Sequence, residues 1–150
     1  MTQITRTTPT NTDFRTLVEK LDAYLAITDG GEHDFYDQYN QLDDIEHVIV
    51  AFDGNRAVGC GAIKVYGDHR IEVKRMWVNE DQRGRGVAMT ILKELELWAA
   101  ELGATSCILE TGKRQKEAVC FYKKAGYREI AKYGQYAEMD NSICFMKELY

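Results

Sequence analysis

The span from His47 to Val78 constrains the fold most. Three apolar-rich runs, "HVIVAF", "RAVGCGAIKVY" and "RIEVKRMWV", are separated only by "DGN" and "GDH". Gaps that short, built on Gly, Asp and Asn, join antiparallel neighbours; a parallel return would need a crossover of about a dozen residues. The span therefore predicts an antiparallel meander. In its third run, strict alternation sets Ile71, Val73 and Arg75 against Glu72, Lys74 and Met76, so Glu72 and Met76 are expected on one face.

Helical patterns flank the meander. "FRTLVEKLDAYLA" spaces Phe14, Leu17, Val18, Leu21, Tyr24 and Leu25 along one side, with Thr12 or Asp13 as candidate cap and "DGG" at Asp29–Gly31 as its end. "HDFYDQYNQLDDI" reads as a short helix or helical loop. After the meander, "DQRGRGVAMTILKELELWAAELG" sets glycines against a helix whose stripe is Val87, Ile91, Leu92, Leu95 and Trp98. "TSCILETG" is a buried strand, "QKEAVCFYKKAGY" a short helix closed by Gly126, and "YREIAKY" and "SICFMKEL" the last strands. This order predicts an α+β fold around a mixed, mostly antiparallel twisted sheet of about six to seven strands with about four helices. No linker or repeat divides the chain, so residues 1–150 are read as a single domain.

Composition excludes several classes. No apolar run of about 18 residues implies a membrane span. "MTQITRTTPTNTDF" lacks the basic-then-apolar pattern of a secretion signal, so a cytoplasmic location is expected. Cys60, Cys107, Cys120 and Cys144 are far apart, with no C-x-x-C pair; reduced thiols and no metal site are expected. A net charge of -5 argues against a nucleic-acid partner. The charge is also unevenly spread. From Leu21 to Asn55 there is no Lys or Arg, whereas Asp22, Asp29, Glu32, Asp34, Asp37, Asp43, Asp44, Glu46 and Asp53 all fall there. Such a stretch suits a cationic ligand, or is simply a solvated face.

The glycine segment suits an anion. A helix start presents about four unpaired N–H groups and a partial positive charge, and glycine lets a ligand approach the backbone. Arg83 and Arg85 add charge, and together these features suit a pyrophosphate. The segment is no P-loop, because G-x-x-x-x-G-K-[ST] is missing. It is no dinucleotide fingerprint either, since Met89 stands where the last glycine of G-x-G-x-x-G belongs.

"RGRGVA" fits R-x-x-G-x-A through Arg83, Gly86 and Ala88, and resembles the acetyl-CoA loop of the GNAT superfamily of N-acetyltransferases. "IEVKRMWVNEDQRGRG" resembles the family's fourth strand and its spacing to that loop. "QKEAVCFYKKAGY" resembles its N-x-x-A-x-x-F-Y-x-x-x-G-F signature, with Gln115 for Asn and Tyr127 for Phe. The resemblance runs over about residues 10–150 and implies a GNAT-like fold with acetyl-CoA as co-substrate. The backbone of Arg83, Gly84, Arg85, Gly86, Val87 and Ala88 would cradle the pyrophosphate. The strand end at Met76, Trp77 and Val78 would hold the pantetheine arm, helped by Gln115, with the Val78 N–H polarising the acetyl carbonyl.

The implied reaction is N-acetylation of a primary amine. An alkylamine is mostly protonated at neutral pH, so a base must take its proton. In some family members a glutamate at the place of Glu72 does so; a surface strand glutamate paired with Lys74 or Arg70 is the other reading. Tyr122 matches the family tyrosine near the CoA sulfur, the expected general acid, and reads otherwise as a core aromatic. Tyr36, Tyr39, Asn40 and Tyr136 are expected to touch the acceptor, a small cationic amine or a peptide or lysine amine. Tyr133 and Glu138 are placed with Tyr136 at the pocket mouth, or in a plain loop. Dimers are frequent in the resembled family. The alternative class is a non-catalytic acyl-CoA-binding regulatory or interaction module.

Overall fold

The computed structural model describes residues 2–28 and 45–149. Strands β1 (Thr2–Thr7), β2 (His47–Asp53), β3 (Arg56–Gly67), β4 (Arg70–Val78), β5 (Ser106–Gly112), β6 (Arg128–Ile130) and β7 (Ser142–Glu148) form one sheet in the order β1-β2-β3-β4-β5-β7-β6. The described helices are α1 (Thr12–Thr28), α2 (Val87–Glu101) and α3 (Lys116–Lys124). All neighbouring strands are antiparallel except β4 and β5.

The sheet is covered on both sides. On one face α1 buries Phe14, Leu17, Val18, Leu21 and Leu25 against Val48, Val50, Cys60, Ala62 and Trp77. On the other, α2 lays Val87, Ile91, Leu92, Leu95 and Ala99 across Ile49, Ile63, Val73, Cys107, Leu109 and Phe145. Ala99 completes the buried stripe. Trp98 sits at its rim, edge-on to His47 with ring centroids 4.9 Å apart, beneath the Arg6 guanidinium at 4.7 Å. The cap of α1 differs from expectation: Asn11 Oδ1 accepts from the Phe14 N–H at 2.9 Å, so neither Thr12 nor Asp13 holds that place.

Two features of β4 build the site. Its parallel pairing with β5 covers only Arg70–Glu72 against Ser106–Ile108; beyond Glu72 the two strands part. And β4 carries a bulge. Ala62 pairs with Lys74 and Cys60 with Trp77, so Gly61 alone faces both Arg75 and Met76. Arg75 takes φ 58° there. The bulge overturns the expected alternation. Glu72, Lys74, Arg75 and Trp77 share the α1 face, whereas Met76 joins Val73 and Val78 under α2. Glu72 and Met76 therefore lie on opposite faces, because an extra residue in one strand moves every later side chain across the sheet.

Candidate active site

The parting of β4 from β5 opens a cavity of about 490 Å³. At one end stand the glycine loop and the first turn of α2. Gly84 and Gly86 take φ 79° and 81°, conformations that favour glycine, and a Cβ on either would meet nothing within 4 Å. Gly86 is the N-cap of α2, and no side chain caps that turn. The helix start and the glycines thus offer backbone N–H groups to open space, as an anion site requires. Gln82, Arg83, Gly84, Gly86, Val87, Ala88 and Met89 line this end. Arg83 has work within the chain: its Nε donates to the Val78 carbonyl at 3.0 Å, and its guanidinium packs 4.8 Å over the Trp77 ring. Arg85 is exposed and lies outside the cavity lining.

The middle of the cavity is the free edge of β4. The Asn79 N–H bonds the Val58 carbonyl at 2.8 Å, which makes Val78 and Gly59 a non-hydrogen-bonded pair. The N–H and C=O of Val78 therefore point away from β3, into the splay. Met76, Trp77 and Val78 line this part, with Thr111, Gly112 and Gln115 from the β5 side. Gln115 is the N-cap of α3. Tyr122, from the same helix, is 6% exposed, its ring 5.0 Å from Phe121 and 5.7 Å from Tyr127. Burial raises its pKa, so the phenol stays protonated and able to donate.

The far end lies on the α1 face and is polar. Glu72 is 3% exposed, which excludes a surface carboxylate. Its Oε2 accepts from the Tyr133 hydroxyl at 2.7 Å, and its Oε1 is 3.8 Å from Lys74 Nζ. Burial, then the Glu72 charge, pushes the Tyr133 phenol up, keeping it a donor. Lys74 is 9% exposed; burial lowers its pKa, and Glu72 opposes that shift. Glu110 lines the same end and accepts from Ser142 Oγ at 2.8 Å. Arg75 pairs with Asp22 of α1, whose Leu21, Tyr24 and Leu25 wall the space. Tyr136, buried, closes it.

The structure therefore gathers Glu72, Met76, Trp77, Val78, Arg83, Gly84, Gly86, Val87, Ala88, Gln115, Tyr122 and Tyr136 around one space. Tyr36, Tyr39, Asn40 and the acidic run from Asp29 to Asp44 lie outside the described residues. Glu110 and Thr111 were not foreseen, and Lys74 was expected only as a partner of Glu72, not as part of the cavity lining. Lys74 follows Glu72 by two places, a spacing that puts both on one strand face; burial of that face is the part no local pattern shows. Among the described residues no group of His, Cys, Asp and Glu is placed to hold a metal, and no helix is long and apolar enough to cross a membrane.

Comparison with known proteins agrees with this geometry. The model of the acetyltransferase (GNAT) family matches residues 14–127. An IAA acetyltransferase of Azospirillum brasilense is 31% identical, over 97% of each chain. A proposed acyl-CoA N-acyltransferase from Klebsiella pneumoniae superposes with a TM-score of 0.84 at 26% identity, covering 100% of this chain and 99% of that one. A GNAT family acetyltransferase from Elizabethkingia anophelis, crystallised with acetyl-CoA bound, has the same fold: TM-score 0.73, 20% identity, 99% and 98% covered.

Proposed function

The chain belongs to the acetyltransferase (GNAT) family, and we propose that it moves the acetyl group of acetyl-CoA onto a primary amine by direct attack. The observation that carries this reading is the splay. One continuous cavity joins an uncapped helix start, suited to a pyrophosphate, to the unpaired edge of β4 and on to a buried carboxylate. The same cavity suits acetyl-CoA, which supplies an activated acyl thioester and a thiolate leaving group.

The residues divide the work. Backbone N–H groups from Gly84 to Met89 bind the diphosphate, with Arg83 bracing that loop against Val78. The edge of β4 from Met76 to Val78 holds the pantetheine arm as a neighbouring strand would, and Gln115 steadies it from α3. The Val78 N–H stabilises the developing oxyanion. Tyr122 gives its proton to the departing thiolate. Glu72 takes the proton from the amine. It stands six positions before Val78, and at about 3.3 Å per residue that separation calls for a water relay.

The acceptor is a small cationic amine or a peptide or lysine amine. Glu72 and Glu110 supply negative charge to the far end, and the sequence from Asp29 to Asp44 adds more. Tyr36, Tyr39, Asn40 and Tyr136 are the proposed contacts. The test is release of CoA thiol from acetyl-CoA over a panel of polyamines, amino sugars, amino acids and lysine peptides. Release with cationic amines, lost in Glu72→Gln, supports the reading. Release with acidic amines alone refutes the acceptor class. CoA binding without release on any amine favours a binding module instead.

A further inference from the structure

We propose that the acceptor amine also carries a carboxylate, which Arg75 binds: the substrate is an amino acid rather than a polyamine. The inference deepens the proposed function and rests on reading the far end of the β4–β5 cavity as the acceptor site. Arg75 lines that cavity and shares the α1 face with Glu72. It stands three positions after Glu72 and three before Val78, midway between the proposed base and the proposed place of transfer.

Three unfavourable features meet in Arg75. Its charge is buried, the side chain being 1% exposed. Its ion-pair partner among the described residues is Asp22, whose side chain is 43% exposed and therefore shared with solvent. Its Nε is buried and has no acceptor among the described residues. A buried charge calls for full hydrogen bonding, and a buried donor without an acceptor keeps its whole desolvation penalty. The backbone adds to this, because φ 58° is a sparsely populated conformation for a long side chain. Features of this kind gather at ligand sites. A guanidinium holds five N–H donors in a planar fork, and Asp22, bound at Nη2, leaves the Nε–H for a second carboxylate.

The charges around the space point the same way. Glu72 and Glu110 line the far end and favour an ammonium group, whereas the basic groups of Lys74 and Arg75 line it too and oppose one. A polyamine would bring only cations to that mixed wall. An amino acid brings its carboxylate to Arg75 and an amine to the side of Glu72, so each charge meets its opposite. Leu21, Tyr24 and Leu25 of α1 make the adjoining wall largely apolar, and a charge pair beside such a wall is stronger than one in water.

The test measures CoA thiol release with matched pairs: lysine and cadaverine, ornithine and putrescine, arginine and agmatine. Each second member is the first without its carboxylate. The wild-type chain should favour the amino acid of any pair it accepts. Arg75→Gln should lower kcat/KM for that amino acid about tenfold to a hundredfold, leave the matching amine nearly unchanged and keep the KM for acetyl-CoA. Arg75→Lys, which keeps a charge without the fork, should retain part of the preference. Equal loss on both members of a pair would make Arg75 a strut between β4 and α1 and overturn the proposal. Release by the wild-type chain with polyamines or amino sugars, but no faster with amino acids, overturns it too and leaves the proposed function standing. Should Arg75→Gln fail to fold, product inhibition of the wild-type chain decides. The N-acetylated amino acid should inhibit more tightly than the N-acetylated amine of its pair, and equal inhibition overturns the proposal. CoA binding without thiol release on any amine would refute both readings.

Discussion

Gly61 faces α2 from β3 at close range, and Gly61→Ala tests how closely sheet and helix approach. A Cβ built there would stand 2.6 Å from Met76 Sδ, 2.8 Å from Leu95 Cδ1 and 2.9 Å from Ile91 Cγ2. Ile91 and Leu95 are fully buried and cannot swing into solvent. Gly61 is not among the residues with positive φ, so the backbone accepts alanine. Reduced freedom of the unfolded chain then contributes about 0.4–1 kcal/mol in the variant's favour. Overpacking costs about 1–3 kcal/mol, leaving a net loss of up to about 2.6 kcal/mol. At about 2–4 °C per kcal/mol for a chain of this size, Tm should fall by up to about 10 °C in scanning calorimetry. The nearest atom belongs to Met76, on the stretch of β4 that lines the cavity proposed for acetyl-CoA, so the KM for acetyl-CoA should rise as well. Met76→Ala removes that atom. The double variant should lose less stability than the two single losses added together, by at least about 0.5 kcal/mol. A higher Tm in Gly61→Ala would refute the close packing, and additive losses would show that Met76 is not what resists.

Other outcomes follow from the site and its surroundings. Tyr122→Phe should lower kcat with little change in the Kd for CoA by calorimetry; equal turnover would make Tyr122 structural. Tyr133→Phe removes the 2.7 Å donor from a buried carboxylate and should cost about 1.5–3 kcal/mol in denaturant unfolding. Gly86→Ala forces a Cβ into a left-handed conformation, costing about 1–2 kcal/mol, and should raise the KM for acetyl-CoA because the methyl faces the open cradle. Burial pushes the Cys60 and Cys107 thiols from 9.0 up to about 12. The folded state keeps protons that the unfolded chain gives up, so stability should hold to about pH 9 and be lost as pH rises towards about 12. Circular dichroism against pH checks this, and a level curve to pH 12 would contradict the burial of those thiols.

What the sequence makes legible is what local chemistry dictates. The two-to-three-residue turns declare the meander, and the glycine loop declares itself because Gly84 and Gly86 meet their conformational demand where they stand. β1 escapes because "TQITRT" offers only Ile4 as an apolar marker and gains its place by pairing with β2, about 45 residues later. The bulge escapes because Arg75 at positive φ has no glycine or asparagine to announce it; its conformation is held by Asp22 and the packing around it. Missing one inserted residue was enough to misplace Met76. Convergence is the other illegible quantity. Glu72 and Tyr133 are 61 positions apart, and the hydrogen bond between them depends on β6 and β7 returning beside β5.

The short parallel contact of β4 and β5 also bears on how the molecule breathes. Three residue pairs join the β1–β4 half of the sheet to the β5–β7 half, with α2 lying across the seam. Past Glu72, the amides of β4 that face the seam have no strand to shield them among the described residues. A ligand arm seated there would act as a removable staple, tying the halves together while bound. Proton exchange at Val73–Val78 should then slow when CoA is present and resume when it leaves. The enzyme's stiffness would follow the supply of its acyl donor.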